Sequence, residues 1–380
     1  MKVSGDWLHR AETQRVCAVL TDAGWQALPV GGCVRNALLG VPVADVDIAT
    51  DARPEIVSDL AKSAGLKVVP TGIEHGTVTV IVGGIPHEIT TFRRDVQTDG
   101  RRAVVAFSDR LLDDAARRDF TMNALYVRPD GTLIDPLGGL PDLQARRVRF
   151  VGDAETRIRE DYLRILRFFR FHAWYGDADA GLDADSLAAC AALSAGIETL
   201  SRERLGAEMR KLLAAVDPAP SVAAMAQAGV LAKVLPGADA RALAPLVHLE
   251  EGRPPRWQRR LACLGGEDVA ERLRLSRAEA RTLQDLREAI GSTESAAVLG
   301  WRLGEERGWD AMALRSVLTG APLHALFNLE LARGSSATFP VEAADLMPAL
   351  EGPALGARLK ALELRWLASD LRLTKAELLG

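Results

Sequence analysis

With 380 residues, 48% of them apolar, the chain is long enough to bury two or three domain cores, so neither disulfide staples nor a structural metal is needed to hold it together. A net charge of −4 argues against a protein that grips nucleic acid over its whole surface, because phosphate binding rests on accumulated cationic charge. No stretch approaches the ~20 apolar residues of a membrane span, no apolar leader opens the chain, and Cys17, Cys33, Cys190 and Cys263 show no C-x-x-C spacing, which together predict reduced thiols in a cytoplasmic protein.

In chain order, an opening helix is expected to end near Gly24. Residues 26–150 then alternate β-like runs with glycine-rich turns: Leu28-Pro29-Val30, Asp45 to Ala49, Thr77 to Val82, Ile85 to Phe92, Leu125 to Val127 and Leu133-Ile134. The Gly83-Gly84 dipeptide between two alternating runs predicts a hairpin turn at positive φ. Arg94 to Asp109 reads as a polar, mobile loop. From about residue 154 the spacing becomes helical and stays so, broken at Pro218, Pro220, Pro236, Pro254-Pro255, Pro322 and Pro340. The expected fold is therefore α+β: a mixed-sheet head over residues 1–150, a helical neck over 151–215, and a helical body and tail over 216–380.

Asp45-Val46-Asp47 carries the chemistry. Residues two apart on a strand project from one face, so two carboxylates converge, and converging carboxylates call for a cation; nucleotidyl transfer uses such pairs to hold Mg²⁺. Upstream, Gly31-Gly32-Cys33-Val34-Arg35 places a double glycine before a short helix, a pattern that lets backbone N–H groups and Arg35 approach a triphosphate. Glu88, in His87-Glu88-Ile89-Thr90-Thr91-Phe92, reads either as a third carboxylate near the metal or as a partner for Arg93. Only seven of the 47 basic residues are lysine, and arginines crowd Arg93 to Arg118 and Arg146 to Arg170, so any polyanion contact is expected as a local patch.

These motifs resemble the bacterial class II tRNA nucleotidyltransferases, the CCA-adding enzymes that share a fold with bacterial poly(A) polymerases in the polymerase β superfamily. The resemblance rests on Gly31 to Arg35, Asp45-Val46-Asp47, Thr71 to Thr77, Glu88 to Arg93, Arg117 to Ala124, Glu160 to Arg167 and Ser201 to Arg204, in the expected order over about the first 215 residues. It implies template-independent addition of C, C and A to tRNA from CTP and ATP, with Mg²⁺ on Asp45 and Asp47 and no obligate protein partner. It further implies that Gly32, Arg35, Arg117, Arg118, Asp119, Asn123, Asp161, Arg164 and Arg167 bind the nucleotide, with Asp119 near the ribose 2′-hydroxyl and Asp161 and Arg164 reading the base. In the family a loop at Arg94 to Asp109 assists the switch from C to A addition, and here it has full length. Asn36 stands where the family usually has aspartate, which would weaken the positioning of Arg35.

Helical spacing puts Arg157, Asp161 and Arg164 on one face, opposite Ile158, Tyr162, Ile165 and Phe169. A carboxylate beside a guanidinium complements cytosine and adenine, each of which presents an amino donor beside a ring-nitrogen acceptor; uracil and guanine present the reverse. In the C-terminal half Arg253, Arg256, Arg259 and Arg260 are expected, by analogy, to hold the tRNA. Two rival readings remain: a poly(A) polymerase, and a non-catalytic RNA-binding protein on the same scaffold.

Overall fold

The computed structural model describes residues 1–73, 76–99 and 102–380, with residues 71, 95–99 and 102–105 described in backbone only. Glu74-His75 within the Thr71 to Thr77 motif, and Gly100-Arg101 in the expected loop, lie outside the described residues. The chain divides into two compact units, Met1–Leu212 with Pro220–Val234, and Leu213–Ala219 with Leu235–Gly380.

The first unit opens with helices α1 (Asp6–His9) and α2 (Ala11–Thr21) and is built on a five-stranded mixed sheet. Its strands are β1 (Leu28–Pro29), β2 (Asp47–Thr50), β3 (Lys67–Gly72), β4 (Thr77–Val82) and β5 (Ile85–Thr91), ordered β1-β2-β5-β4-β3. The pairing of β2 with β5 is parallel and the other pairings are antiparallel. The β-branched run Thr77-Val78-Thr79-Val80-Ile81-Val82 favours a pleated strand, and Gly83 and Gly84 close the β4–β5 hairpin with φ of 57° and 82°, conformations a side chain would resist.

Alternation assigns the two faces of the sheet. Val80 and Ile89 turn to Val16 and Leu20 of α2 and to Val57 and Ala61 of helix α4 (Pro54–Ser63), a helix inserted after α3 (Gly32–Leu38). Asp47 and Glu88 project from the opposite face.

The expected loop at Arg94 to Asp109 is instead an antiparallel pair, β6 (Arg93–Asp99) and β7 (Arg102–Phe107), with Arg93 opposite Phe107 and Asp99 opposite Arg102. The β-branched residues Val96, Thr98, Val104 and Val105 favour extended pairing and outweigh the polar composition that suggested a loop. Helix α5 (Leu111–Ala116) follows, then the short pair β8 (Tyr126–Val127) and β9 (Leu133–Ile134), and helix α6 (Leu140–Gln144). A buried cluster of Leu28, Val30, Ala49, Phe92, Ala115, Ala124, Tyr126 and Val151 ties these elements to the sheet.

Helices α7 (Ala154–Glu160), α8 (Leu163–Tyr175), α9 (Ala184–Ala192), α10 (Arg202–Leu213), α11 (Ala219–Gln227) and α12 (Val230–Val234) complete the unit. Phe120 meets Phe150 at 5.0 Å and Phe171 at 4.8 Å between ring centroids, and Phe150 stacks on Phe168 at 5.7 Å, so an aromatic core fixes α8 against the segment after α5.

In the second unit the four arginines assigned to tRNA divide. Arg259 and Arg260 are each 1% exposed and cannot meet a polyanion. Arg259 donates to Glu250 at 2.5 Å and to Asp310 at 2.6 Å; Arg260 donates to Glu250 and to the carbonyls of Leu213, Ala215 and Val216. Arg256 pairs with Asp310 and Glu306, while the exposed Arg253 lies 4.2 Å over the Trp309 ring. The correction has a simple cause: composition locates arginines without distinguishing those whose carboxylate partners lie 9 and 51 positions away, as Glu250 and Asp310 do from Arg259.

Candidate active site

The Gly31-Gly32 turn is set by two backbone bonds: Val30 N–H donates to Asp47 at 2.9 Å and Gly31 N–H to Leu125 at 3.1 Å. Gly31 has φ of 71°, and a Cβ there would come within 3.3 Å of Arg118 Nη1, so glycine satisfies both the conformation and the close approach. Gly32 is the first residue of α3, beside this turn.

Asp47 opens β2 and pairs in parallel register with Glu88 on β5; Asp45 lies two residues before, just outside the strand. All three carboxylates are exposed. Partial desolvation and then the neighbouring Glu88 push the Asp47 carboxyl above its ordinary range, with Asp45 adding to the effect and Arg118 opposing it. Three carboxylates gathered at a solvent-facing sheet face, all hard oxygen donors, fit a divalent cation. Among the described residues no three acidic, histidine or cysteine side chains draw close enough to enclose a metal alone.

Beside these carboxylates is a cleft of about 280 Å³ lined by Arg117, Arg118, Asp119, Asp161, Leu163, Arg164, Arg167 and Arg204. The structure thus brings six of the residues expected to bind nucleotide into one cavity. Asp114, which the sequence reading did not single out, organises its rim. It is buried, accepts from Arg117 at 2.9 Å, Arg118 at 3.0 Å and the Tyr126 hydroxyl at 2.8 Å, and thereby sets the direction of both guanidinium groups. Burial alone would raise the Asp114 carboxyl, but Arg118, Arg117 and Tyr126 outweigh it and hold it below the usual carboxylate range.

Asp119 is 9% exposed and its acceptor sites are taken. Oδ1 accepts from Phe120 N–H at 2.8 Å and Asn123 Nδ2 at 2.9 Å, and Oδ2 accepts from Arg167 Nε at 2.8 Å and from its Nη2. A carboxylate offers about four lone-pair directions, so a ribose hydroxyl reaches Asp119 only by displacing one of these donors. Asp119 thus lines the cleft and also fixes Arg167 in it. Asn123 extends the chain of bonds by accepting from Arg35 Nη1 at 2.6 Å.

Arg35 itself is 6% exposed. It donates to Asn36, Asn123 and the Tyr175 hydroxyl, and its guanidinium lies 3.9 Å from the Tyr175 ring centroid. Burial lowers its pKa. Instead of extending into the cleft as a free phosphate donor, Arg35 joins α3, Asn123 and α8. Asn36 supplies the bond to Arg35 as an amide oxygen and anchors its own Nδ2 on Pro42 at 3.1 Å.

The single helical face expected for Arg157, Asp161 and Arg164 is interrupted. α7 ends at Glu160, Asp161 is extended at φ −156° and ψ 104°, and α8 starts at Leu163. Asp161 Oδ1 accepts from Leu163 N–H at 3.1 Å, a local side-chain bond that competes with the helical ladder. The break nonetheless leaves Asp161 and Arg164 lining the same cleft. Arg164 is aimed by Glu160 at 2.5 Å and by the carbonyls of Arg157 and Arg117; Asp161 is held by Arg204 at 2.6 Å.

No helix among the described residues is long and apolar enough to cross a membrane. Residues 27–149 match the family model described as "Poly A polymerase head domain", and residues 181–241 match "Probable RNA and SrmB- binding site of polymerase A". The chain is 35% identical over 368 residues to the mouse mitochondrial CCA tRNA nucleotidyltransferase 1, covering 92% of this chain and 85% of that protein. It is 40% identical over 239 residues to the CCA-adding enzyme of Leuconostoc citreum, covering 62% of this chain and 57% of that one. Among solved structures it resembles the Bacillus stearothermophilus CCA-adding enzyme in complex with CTP, at a TM-score of 0.75 and 30% identity, over 94% of this chain and 93% of that one. Nucleotidyltransferases of this superfamily typically use divalent metals. A carboxylate-bearing sheet face beside an arginine-lined cleft, on a chain alike in sequence and fold to these proteins over nearly its whole length, identifies it as a member of the CCA-adding tRNA nucleotidyltransferase family.

Proposed function

We propose that the chain adds C, C and A to the 3′ end of tRNA from CTP and ATP, without a template and with release of pyrophosphate, in the cytoplasm, holding Mg²⁺ on Asp45 and Asp47. The observation that carries the residue assignment is the single cleft in which Asp161 and Arg164 stand with Arg117, Arg118 and Arg167, beside the Asp45, Asp47 and Glu88 carboxylates. When bound, the metal supplies charge neutralisation of the triphosphate and of the attacking and leaving oxygens. The chain's own residues do the rest. Gly32 opens the short helix beside the phosphates, and the Gly31 turn keeps the backbone close to Arg118. Arg117, Arg118 and Arg167, fixed by Asp114 and Asp119, face the phosphates with donors already oriented, so little side-chain freedom is lost on binding.

Asp161 accepts from the exocyclic amine of cytosine or adenine, and Arg164 donates to the adjacent ring nitrogen. Uracil and guanine would set carbonyl against carboxylate and N–H against guanidinium, leaving polar groups unpaired in the cleft, a loss of about 1–3 kcal/mol for each such group. The body and tail, residues 216–380, are assigned to tRNA binding, through surface residues other than the buried Arg259 and Arg260.

A poly(A) polymerase is the second reading, because the head matches a model named for that activity. The test is to supply purified protein and Mg²⁺ with CTP and ATP together, using tRNA transcripts that end at the discriminator base, in C, or in CC, and to sequence the products. Extension of each to CCA followed by arrest supports the proposal; a long A tail would establish the polymerase, CC alone would deny A addition, and no extension would favour a binding protein.

A further inference from the structure

The two oxygens of Asp161 are held from two different directions. Oδ1 accepts from the Leu163 N–H at 3.1 Å and Oδ2 from Arg204 Nη2 at 2.6 Å. Arg204 comes from α10, whose buried Leu205, Met209 and Leu212 seat it in the core and leave a polar row at positions 204 and 208. One turn further on, Glu208 accepts from Arg170 of α8 at 2.5 Å. Two adjacent turns of α10 thus clamp α8 at Asp161, just before its first residue, and at Arg170 near its middle. Arg204 is also half-exposed and lines the cleft itself.

We propose that Arg204 is a positioning residue for base selection: it fixes the rotation of the Asp161 carboxylate so that uracil and guanine are rejected. The proposal rests on the reading of Asp161 as the acceptor for the base's amino group. Rotation about the terminal bond of an aspartate is broad, and a single 3.1 Å bond from a backbone N–H restrains the rotation of the whole carboxylate only loosely. A carboxylate that can swing still accepts from cytosine's amine, but it can also turn away from the O4 carbonyl of uracil. A carboxylate held at both oxygens cannot, so the mismatched base meets full repulsion while each oxygen keeps a lone pair for the correct one. Holding the reader still therefore matters more for refusing the wrong base than for binding the right one.

The experiment compares wild type, Arg204→Ala and Arg204→Lys in the full chain, measuring kcat/KM for CTP and for UTP on a tRNA transcript ending at the discriminator base. The ratio of the two is independent of the fraction of protein folded, so a merely structural defect does not move it. The CTP-to-UTP ratio is expected to fall about tenfold in Arg204→Ala, the scale of one charge-assisted hydrogen bond, through a rise in UTP use, and to recover in Arg204→Lys. If Arg204→Ala yields too little folded protein, Arg204→Gln gives the same ratio. An unchanged ratio, whether or not both rates fall, overturns the proposal. A wild-type protein that does not prefer CTP over UTP overturns the underlying reading of Asp161 instead.

Discussion

Asp47 and Glu88 stand side by side in parallel register on β2 and β5, two carboxylates on one exposed sheet face with Asp45 close behind. Desolvation and then Glu88 disfavour the charge on Asp47, with Asp45 adding to the effect, and a cation would relieve it. An acid whose folded pKa is raised stabilises the fold at low pH and loses that contribution as pH rises through it. Asp47→Asn is therefore expected to match or exceed the wild-type melting temperature at pH 7 without metal, with the difference vanishing at acid pH. Added MgCl₂ should raise the wild-type melting temperature more than the variant's, and thermal melts with and without the salt check both.

Asp114 behaves in the opposite sense. Its carboxyl is held low by Arg118, Arg117 and Tyr126 despite its burial, so the stability it contributes is present above the ordinary carboxylate pKa and is lost as pH falls. Asp114→Ala leaves two partly buried guanidinium groups without their shared partner and is expected to cost about 3–5 kcal/mol. Urea titrations at pH 7 and pH 4 should show a smaller difference from wild type at the lower pH.

In the second unit Glu250 neutralises both Arg259 and Arg260, all three fully buried. Glu250→Ala is expected to lose about 3–5 kcal/mol, because two buried cations lose their common carboxylate. Nucleotide discrimination by the residues of the first unit should survive at a temperature where the variant remains folded. Calorimetry together with the CTP-to-UTP ratio checks this, and a changed ratio would contradict it.

Arg35 donates through three nitrogens to Asn36, Asn123 and Tyr175, a planar fork that lysine cannot reproduce. Arg35→Lys should destabilise the chain by about 1–3 kcal/mol and slow C addition. Tyr175→Phe, which removes one acceptor and keeps the ring, should cost only about 1 kcal/mol. Chemical denaturation of the pair orders them.

How much of this was legible in the sequence depends on the range of each interaction. The hairpin at Gly83-Gly84 and the strands Thr77–Val82 and Ile85–Thr91 follow local alternation and turn chemistry, and the structure places them there. The position of Asp47 beside Glu88 is a pairing between strands about 40 residues apart, which no local pattern encodes, although the family motifs place both residues. The break at Asp161 was hidden because the periodicity of Ile158, Tyr162 and Ile165 is helical, whereas the side-chain bond to Leu163 N–H that ends α7 leaves no mark on spacing. Asp114 was missed for a related reason. Asp113-Asp114 reads as an acidic first turn of a helix, and only the fold reveals that one of the two turns inward to Arg117, Arg118 and Tyr126. Arg204 lay inside a recognised motif with no role attached, since its partner Asp161 is 43 positions distant.

Metal-dependent, base-selective addition is tested most directly by supplying each nucleoside triphosphate singly to wild type, Asp45→Ala and Asp47→Ala, with Mg²⁺ and tRNA transcripts ending at the discriminator base or in CC. Wild type is expected to add two residues from CTP to the first transcript and one from ATP to the second and to refuse UTP and GTP on both, and neither variant is expected to add anything. Incorporation by either aspartate variant at the wild-type rate, or indifferent use of all four triphosphates, would contradict it.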